Sequence, residues 1–238
     1  MRLDKFIASC GDLSRREVKG LIKDGLVTVN GERAKRPEQK VDENVDTVCV
    51  SGKELKYLKY VYLMLNKPKG YVSATEDRHY PVVTELVPEE YAHFNVFPVG
   101  RLDIDTEGLL LLTNDGAFSH ELTSPKKNVY KRYFAVLDKP AEEKDIEAFR
   151  AGMDLGDFTA KSAVLELTDV PNEVYIEIAE GKFHQVKRMC EMVGKTVTFL
   201  KRVGIGALPL DEALKQGEVR PMRRDELAAV CCQQAYER

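Results

Sequence analysis

Several features that would settle a protein's class at once are missing from this 238-residue chain. No apolar run approaches the roughly 18 residues that a membrane-spanning helix needs. The opening MRLDKFIASCGD is charged and lacks the long apolar stretch of a secretory signal. Cysteine is sparse: Cys10, Cys49, Cys190, Cys231 and Cys232 form an odd set without a CxxC pair, which fits reduced thiols in a cytoplasmic protein. The four histidines are scattered without metal-ligand spacing, so no metal is expected. Repeats and low-complexity segments are absent as well. What is present, 43% hydrophobic and 32% charged residues, fits a soluble globular protein with an ordinary core in one large or two smaller domains.

The formal net charge of −3 argues against a polyanionic partner, but the charges are unevenly spread. Residues 1–58 carry 12 Lys/Arg against 10 Asp/Glu, and the remainder carries 24 against 29. Within that acidic remainder, Lys182, Lys187, Arg188, Lys195, Lys201 and Arg202 face only Glu191 in residues 182–202. Lys126, Lys127, Lys131 and Arg132 make a second cluster. Local patches, not the total, set where a polyanion docks. A solvated face is the ordinary meaning of one such run; two beside candidate chemistry are harder to dismiss as that.

The first 58 residues read as a small module. Arg2 to Ser9 is a helix candidate with Leu3, Phe6 and Ile7 on one face. Ser14-Arg15-Arg16-Glu17 is a capping box, and the helix it starts runs to about Lys23 with Gly25 as its stop. Val18, Leu21 and Ile22 form the apolar stripe of that helix, while Arg15, Lys19 and Lys23 line another face beside Arg16. LVTVNGERA then reads as a hairpin turning at Asn30-Gly31, and VDTVCVSG as a further strand. RLDKFIA, SRREVKGLIKDGLVTVNGE and KVDENVD occur in an order that resembles the S4 RNA-binding domain. The resemblance implies that Arg15, Arg16, Lys19 and Lys23 track an RNA backbone.

A charged join, GKELKYLKY, leads to the larger domain, residues 59–238. VYLML (61–65) is a buried-strand candidate and NKPKGYVSA a turn around Pro68 and Gly70. LLLLT is a second strand, and Asn114-Asp115-Gly116 turns into the helix AFSHELT, which stops at Ser124-Pro125. YKRYFAVL, AVLELTDV, EVYIEIAEG and TVTFLKRVGIG are further strands, with helices in PAEEKDIEAFRAG and HQVKRMCEMVG. Many strands and few helices predict an α+β fold, not a doubly wound parallel one.

Charges at the mouth of the leucine run need partners or a task. In GRLDID, an extended chain sends Arg101, Asp103 and Asp105 to one side and Leu102 and Ile104 to the other. An Asp before a strand is by itself most often a turn residue. Two carboxylates on one side do not suit a glycosidase, which sets its acid and base across a sugar. In HQVKRM, helical spacing buries Val186, Met189, Cys190 and Val193, turns Arg188 away and leaves Lys187 at the boundary. A boundary lysine either snorkels outward or meets an acid. If that acid is Asp103, the pair favours the ionised carboxylate.

NKPKGYVSA, GRLDIDTEGLLLLTNDG, the K-x-Y of Lys131 and Tyr133, and EGKFHQVKRM occur in the order seen in pseudouridine synthases of the RsuA branch. The resemblance, S4 module included, covers almost the whole chain. It implies a pseudouridine synthase fold, a mixed, mainly antiparallel sheet flanked by helices, with Asp103 as catalytic aspartate, Tyr133 as active-site tyrosine and Lys187 as the basic partner of the aspartate. It also implies that Arg101 fills the gap left by an extruded base; Lys131 and Arg188, in the basic runs, are the further expected RNA contacts, and Asp105, to which the family assigns no role, reads as structural. A uridine in folded RNA must leave its stack before its glycosidic bond is reachable, at roughly a few kcal/mol. Asp103 would promote C1′–N1 cleavage by adding to the sugar, adding to the base or removing a sugar proton. No electrons move and no group is carried, so neither cofactor nor metal is expected. GKFHQVKRM resembles the small-subunit branch, which implies 16S rRNA, at position 516, as substrate. DTEGLLLLTNDG is shared with enzymes of large-subunit 23S rRNA, which is the alternative, beside a non-catalytic S4-containing rRNA-binding protein. The expected partner is ribosomal RNA, free or in an assembling small subunit, with no membrane and with the chain acting as a monomer.

Overall fold

The computed structural model describes residues 1–11, 13–124 and 126–231; Cys232 and the helix stop expected at Pro125 lie outside the described residues. The chain forms two compact units, one of Met1–Val61 with Pro88–Asn95, the other of Tyr62–Val87 with the chain from Val96 onward.

In the first unit, helices α1 (Leu3–Ala8) and α2 (Arg15–Lys23) accompany a four-stranded antiparallel sheet ordered β2-β1-β3-β4. Its strands are β1 (Val27–Val29), β2 (Glu32–Arg33), β3 (Val48–Val50) and β4 (Lys53–Leu55). The capping box is formed: Glu17 accepts from the Ser14 backbone N–H at 2.7 Å, and Ser14 Oγ accepts from the Glu17 N–H at 3.3 Å. Asn30 and Gly31 take φ of 52° and 83°, the left-handed pair that a two-residue hairpin turn demands. Leu3, Phe6, Ile7, Val18, Ile22, Val27 and Val48 close the core. The charged join is a correction: Ser51 and Gly52, at φ 50° and 81°, fold Lys53–Leu55 back onto β3 as a strand. Its Lys53 and Glu54 side chains are exposed, so no alternating apolar pattern announces it. A short helix, α3 (Glu89–Ala92), groups with this unit.

The second unit is built on a nine-stranded sheet. Its strands are β5 (Tyr62–Lys67), β6 (Phe97–Pro98), β7 (Glu107–Thr113), β8 (Lys131–Leu137), β11 (Val164–Leu167), β12 (Glu173–Ile178), β13 (Val197–Ile205), β14 (Leu208–Pro209) and β15 (Val219–Pro221). The main path runs β11-β12-β8-β13-β7-β5-β15, with β14 on β13 and β6 on β7. Every neighbouring pair is antiparallel except β13 and β7. The helices are α4 (Gly116–Thr123), α5 (Glu143–Ala151), α6 (Gln185–Met192) and α7 (Arg224–Val230), and β9 (Met153–Asp154) pairs with β10 (Thr159–Ala160) as a separate ribbon. No helix among the described residues is long and apolar enough to cross a membrane.

The four leucines of β7, Leu109 to Leu112, are all buried, so both faces of the strand are covered and a continuous apolar run replaces alternation. Leu109 and Leu111 pack with Met64, Ile205, Leu208 and Val230. At the start of β7 the parallel neighbour comes unusually close. A Cβ on Gly108, which stands at φ 99°, would lie 2.2 Å from the carbonyl oxygen of Arg202. Only glycine fits that conformation and that approach together.

Candidate active site

The loop 101–106 feeding β7 is a bent turn, not the extended stretch expected from its alternation. The Thr106 N–H donates to the carbonyl of Asp103 at 3.1 Å and closes the bend. Asp103 and Asp105 still end on the same side, because one ammonium gathers both: Lys187 Nζ lies 3.1 Å from Asp103 Oδ2 and 2.6 Å from Asp105 Oδ1. Asp105, expected to be structural, thus shares the ammonium that pairs with Asp103. Burial pulls the Lys187 ammonium down, but its hydrogen bonds to Asp105 and Asp103 and their charges prevail and hold it above its ordinary value. Burial likewise pushes the Asp105 carboxyl up, and Lys187 overrules it to hold the group below the usual range.

The stretch NKPKGYVSA, expected as a turn, is the clamp of this loop. Ser73 Oγ donates to the Leu102 carbonyl and accepts from the Leu102 N–H, each at 3.0 Å, and the Gly70 N–H donates to the Ile104 carbonyl at 2.7 Å. Lys67 is fully buried and spends its ammonium on backbone, donating to the carbonyls of Pro68 (3.1 Å), Asp103 (3.1 Å) and Thr106 (2.9 Å). Burial pushes its pKa down to about 8, against the pull of Asp105, Asp103 and Glu107. Lysine is so rarely buried that nothing in the sequence marks this one.

Opposite the acids stands Tyr133, buried on β8 with Lys131 on the same face of the pleat. His184 was also missed by the sequence reading. It sits at φ 49° just before α6, with Nε2 3.6 Å from Asp103 Oδ1 and its ring stacked on the exposed Phe183. Arg101, Asp103, Tyr133, His184, Lys187 and Leu200 are among the residues lining a cleft of about 60 Å³. A neighbouring cavity of about 110 Å³ shares Arg101, Tyr133 and Gly181 with it and adds Lys131 and Arg202. A larger cavity, about 500 Å³, lies on the other face of β8 and β13 with Arg132 and Lys201, away from Asp103 and Asp105.

The two basic runs are largely dissolved by the fold, which corrects their reading as patches. Lys195 is buried 2.7 Å from Asp145, and Arg202 is buried in the sheet with Nε donating to the Leu109 carbonyl at 2.7 Å. Arg132 points to the opposite face from Lys131 and is held by Glu177 and Glu166. Arg188 is occupied by Asp157 and the Leu155 carbonyl. By contrast Arg15, Arg16, Lys19 and Lys23, in the first unit, are all exposed on α2.

Comparison with known proteins accords with this geometry. Residues 61–192 match the RNA pseudouridylate synthase family, and residues 1–46 match the S4 domain. The chain is 45% identical over 231 residues to the uncharacterized RNA pseudouridine synthase YtzG of Bacillus subtilis, covering 95% of this chain and 97% of that one. It is 40% identical over 233 residues to the ribosomal small subunit pseudouridine synthase A of Escherichia coli K12, covering 97% and 100%. A crystal structure of a pseudouridylate synthase, 37% identical, superposes with a TM-score of 0.68 over 97% of this chain and 99% of that one. The chain therefore belongs to the RNA pseudouridine synthases, isomerases of RNA, and carries an S4 RNA-binding domain ahead of its mixed-sheet synthase domain.

Proposed function

We propose that this enzyme isomerises one uridine of 16S ribosomal RNA, at position 516, with Asp103 as the catalytic carboxylate. The observation that carries the site assignment is the Lys187–Asp103 contact at 3.1 Å, beside a cleft that Tyr133 closes from the opposite side. Lys187 supplies Asp103 with a counter-ion while Lys67 grips the Asp103 backbone, so the carboxylate is positioned before substrate arrives. Asp103 promotes breakage of C1′–N1, the freed uracil turns to present C5, and C1′–C5 forms as the C5 proton leaves and N1 gains one. Tyr133 stacks on the base and takes part in proton transfer.

At about 60 Å³ the cleft is narrow, and a base entering it needs a wall to give way. Arg101 is the movable wall: it is exposed and makes no ion pair among the described residues. Swung into the gap left by the everted base, it would both fill the RNA stack and open the cleft. The exposed cations of α2 contribute the sequence-independent phosphate contacts. Ribosomal RNA as the substrate class is supported by two relatives named as small-subunit pseudouridine synthases, 40% and 42% identical.

Mapping of pseudouridine in 16S and 23S rRNA from cells lacking the protein tests this reading. The expected result is loss of one 16S modification, restored by the wild-type chain and not by Asp103→Asn. Loss confined to 23S rRNA overturns the target, and full restoration by Asp103→Asn overturns the assignment of the acid.

A further inference from the structure

The cavity beside the cleft holds an electrostatic anomaly. Arg202 is 4% exposed, and its Nη2 has no hydrogen-bond partner. Its guanidinium forms no ion pair among the described residues; only Nε is used, on the Leu109 carbonyl. Arginine does not deprotonate in proteins, so this is a permanent buried charge without a counter-ion. Lys131 lines the same cavity, half-buried, likewise without an ion pair among the described residues. Burial and the Arg202 charge push its pKa down to about 8, and the one acid that favours its charge, Glu180, is engaged by the Lys161 N–H and by Gln185. Elsewhere in the unit, Lys195 is answered by Asp145, Arg132 by two glutamates and Lys187 by two aspartates, while the buried Lys67 has all its donors taken by three carbonyls.

The backbone explains how the pair arises. Tyr133 and Arg202 are register partners across β8 and β13, and Lys131 lies two residues along the same face of β8. Gly108 lets β7 press against the Arg202 backbone, and Arg202 Nε donates to the Leu109 carbonyl of the same strand. The result is a dicationic recess separated from Asp103 only by the shared wall of Arg101, Tyr133 and Gly181.

We propose that Lys131 and Arg202 form a phosphate-binding subsite for the phosphodiester adjoining the everted nucleotide. This rests on the reading of Asp103 as the catalytic carboxylate. With the base beside Asp103, its own backbone phosphate is only a ribose away, and the recess beyond Tyr133 and Arg101 is the place where two unanswered cations await an anion. Paired with phosphate oxygens, Arg202 gains the charge-assisted hydrogen bonds it lacks. The contact would be made only once the nucleotide has left its stack, so its energy would favour eversion over mere docking on the helix surface.

Two measurements on the full-length chain test this. The first is tritium release from [5-³H]uridine-labelled rRNA of cells lacking the protein, for wild type, Lys131→Met, Lys131→Arg and Arg202→Lys. The expected result for Lys131→Met is a rise in KM of about tenfold and a salt slope shallower by about one, with Lys131→Arg restoring both. A KM and slope equal to wild type in Lys131→Met overturn the subsite. The second is thermal unfolding in sodium phosphate against sodium chloride at equal ionic strength, which needs no RNA. Phosphate should raise the wild-type Tm, and should not do so in Lys131→Met. An equal response of the two proteins, or none in either, overturns the subsite and leaves the recess to water. A phosphate response lost in Lys131→Met, in a protein that releases no tritium, would instead uphold an anion site while removing the function assigned to its neighbour.

Discussion

The two units use positive charge in opposite ways. On α2 the cations Arg15, Arg16, Lys19 and Lys23 stand in water, free to follow a phosphate backbone of any sequence. In the synthase unit the cations are drawn inward: Lys67 onto three carbonyls, Lys187 onto two aspartates, Lys195 onto Asp145. Exposed charge in high dielectric supplies steering and salt-dependent affinity. Charge with its water removed supplies position, because its partners cannot move without leaving it unpaired. A basic run in a sequence therefore has two meanings, and burial chooses between them.

That contrast can be tested from its strongest consequence downward. Asp103→Asn should abolish pseudouridine formation while gel-shift retention of rRNA stays close to wild type, since affinity resides largely in the exposed cations; loss of binding alongside activity would mean that the acid shapes the fold. Lys187→Met should slow single-turnover conversion by about 10²-fold or more, the scale on which a positioned catalytic group acts. It leaves Asp103 and Asp105 facing each other without a counter-ion, and Lys187→Arg should recover part of the rate. Changing all four cations of α2 to glutamine should flatten the plot of log affinity against log salt by up to about three, at roughly 0.7–0.9 per phosphate contact. In that variant kcat should hold, and an unchanged slope would detach α2 from RNA.

The pH response offers a finer test. The Lys131 pKa of about 8 is below the unfolded value near 10.5 that lysine otherwise shows, with Arg202 and Glu180 as the charges facing it. Between those two pH values the unfolded chain holds the proton and the folded chain does not, so this group's contribution makes stability rise with pH. The urea midpoint of Lys131→Met should therefore gain less than wild type between pH 8 and 10. The smallest effect belongs to the first unit. Ser14→Ala removes one half of the capping box and should cost about 1 kcal/mol in urea unfolding.

Helices α1, α2, α4, α5 and α6, the Asn30-Gly31 turn and the buried leucine strand were legible because each is written in neighbouring residues, whereas α3 and α7 were not foreseen. A serine three places before a glutamate, an asparagine before a glycine and four successive leucines act within a few residues of themselves. Asp103 was legible from its long motif, and Lys187 from its place at the edge of the buried face of α6. Lys67 was not, because a lysine in a Pro-Gly stretch looks like any solvated turn residue. His184 was not, because its nearness to Asp103 depends on a left-handed residue at the start of α6.

Local pattern alone predicted a small helix-and-hairpin module and a larger α+β domain, and the resemblance of its motifs pointed to the acid at the mouth of the leucine strand. Which charges meet was decided in three dimensions. Lys187 and Asp103 are 84 residues apart, and their contact exists because β13, β7 and the clamped loop bring distant segments together. The same pleat that turns Lys131 towards the cleft sends Arg132 away, and the Leu109 carbonyl of β7 holds the Arg202 guanidinium inside. Strand register and burial set the electrostatic partners, and neither is a property of residues read in order.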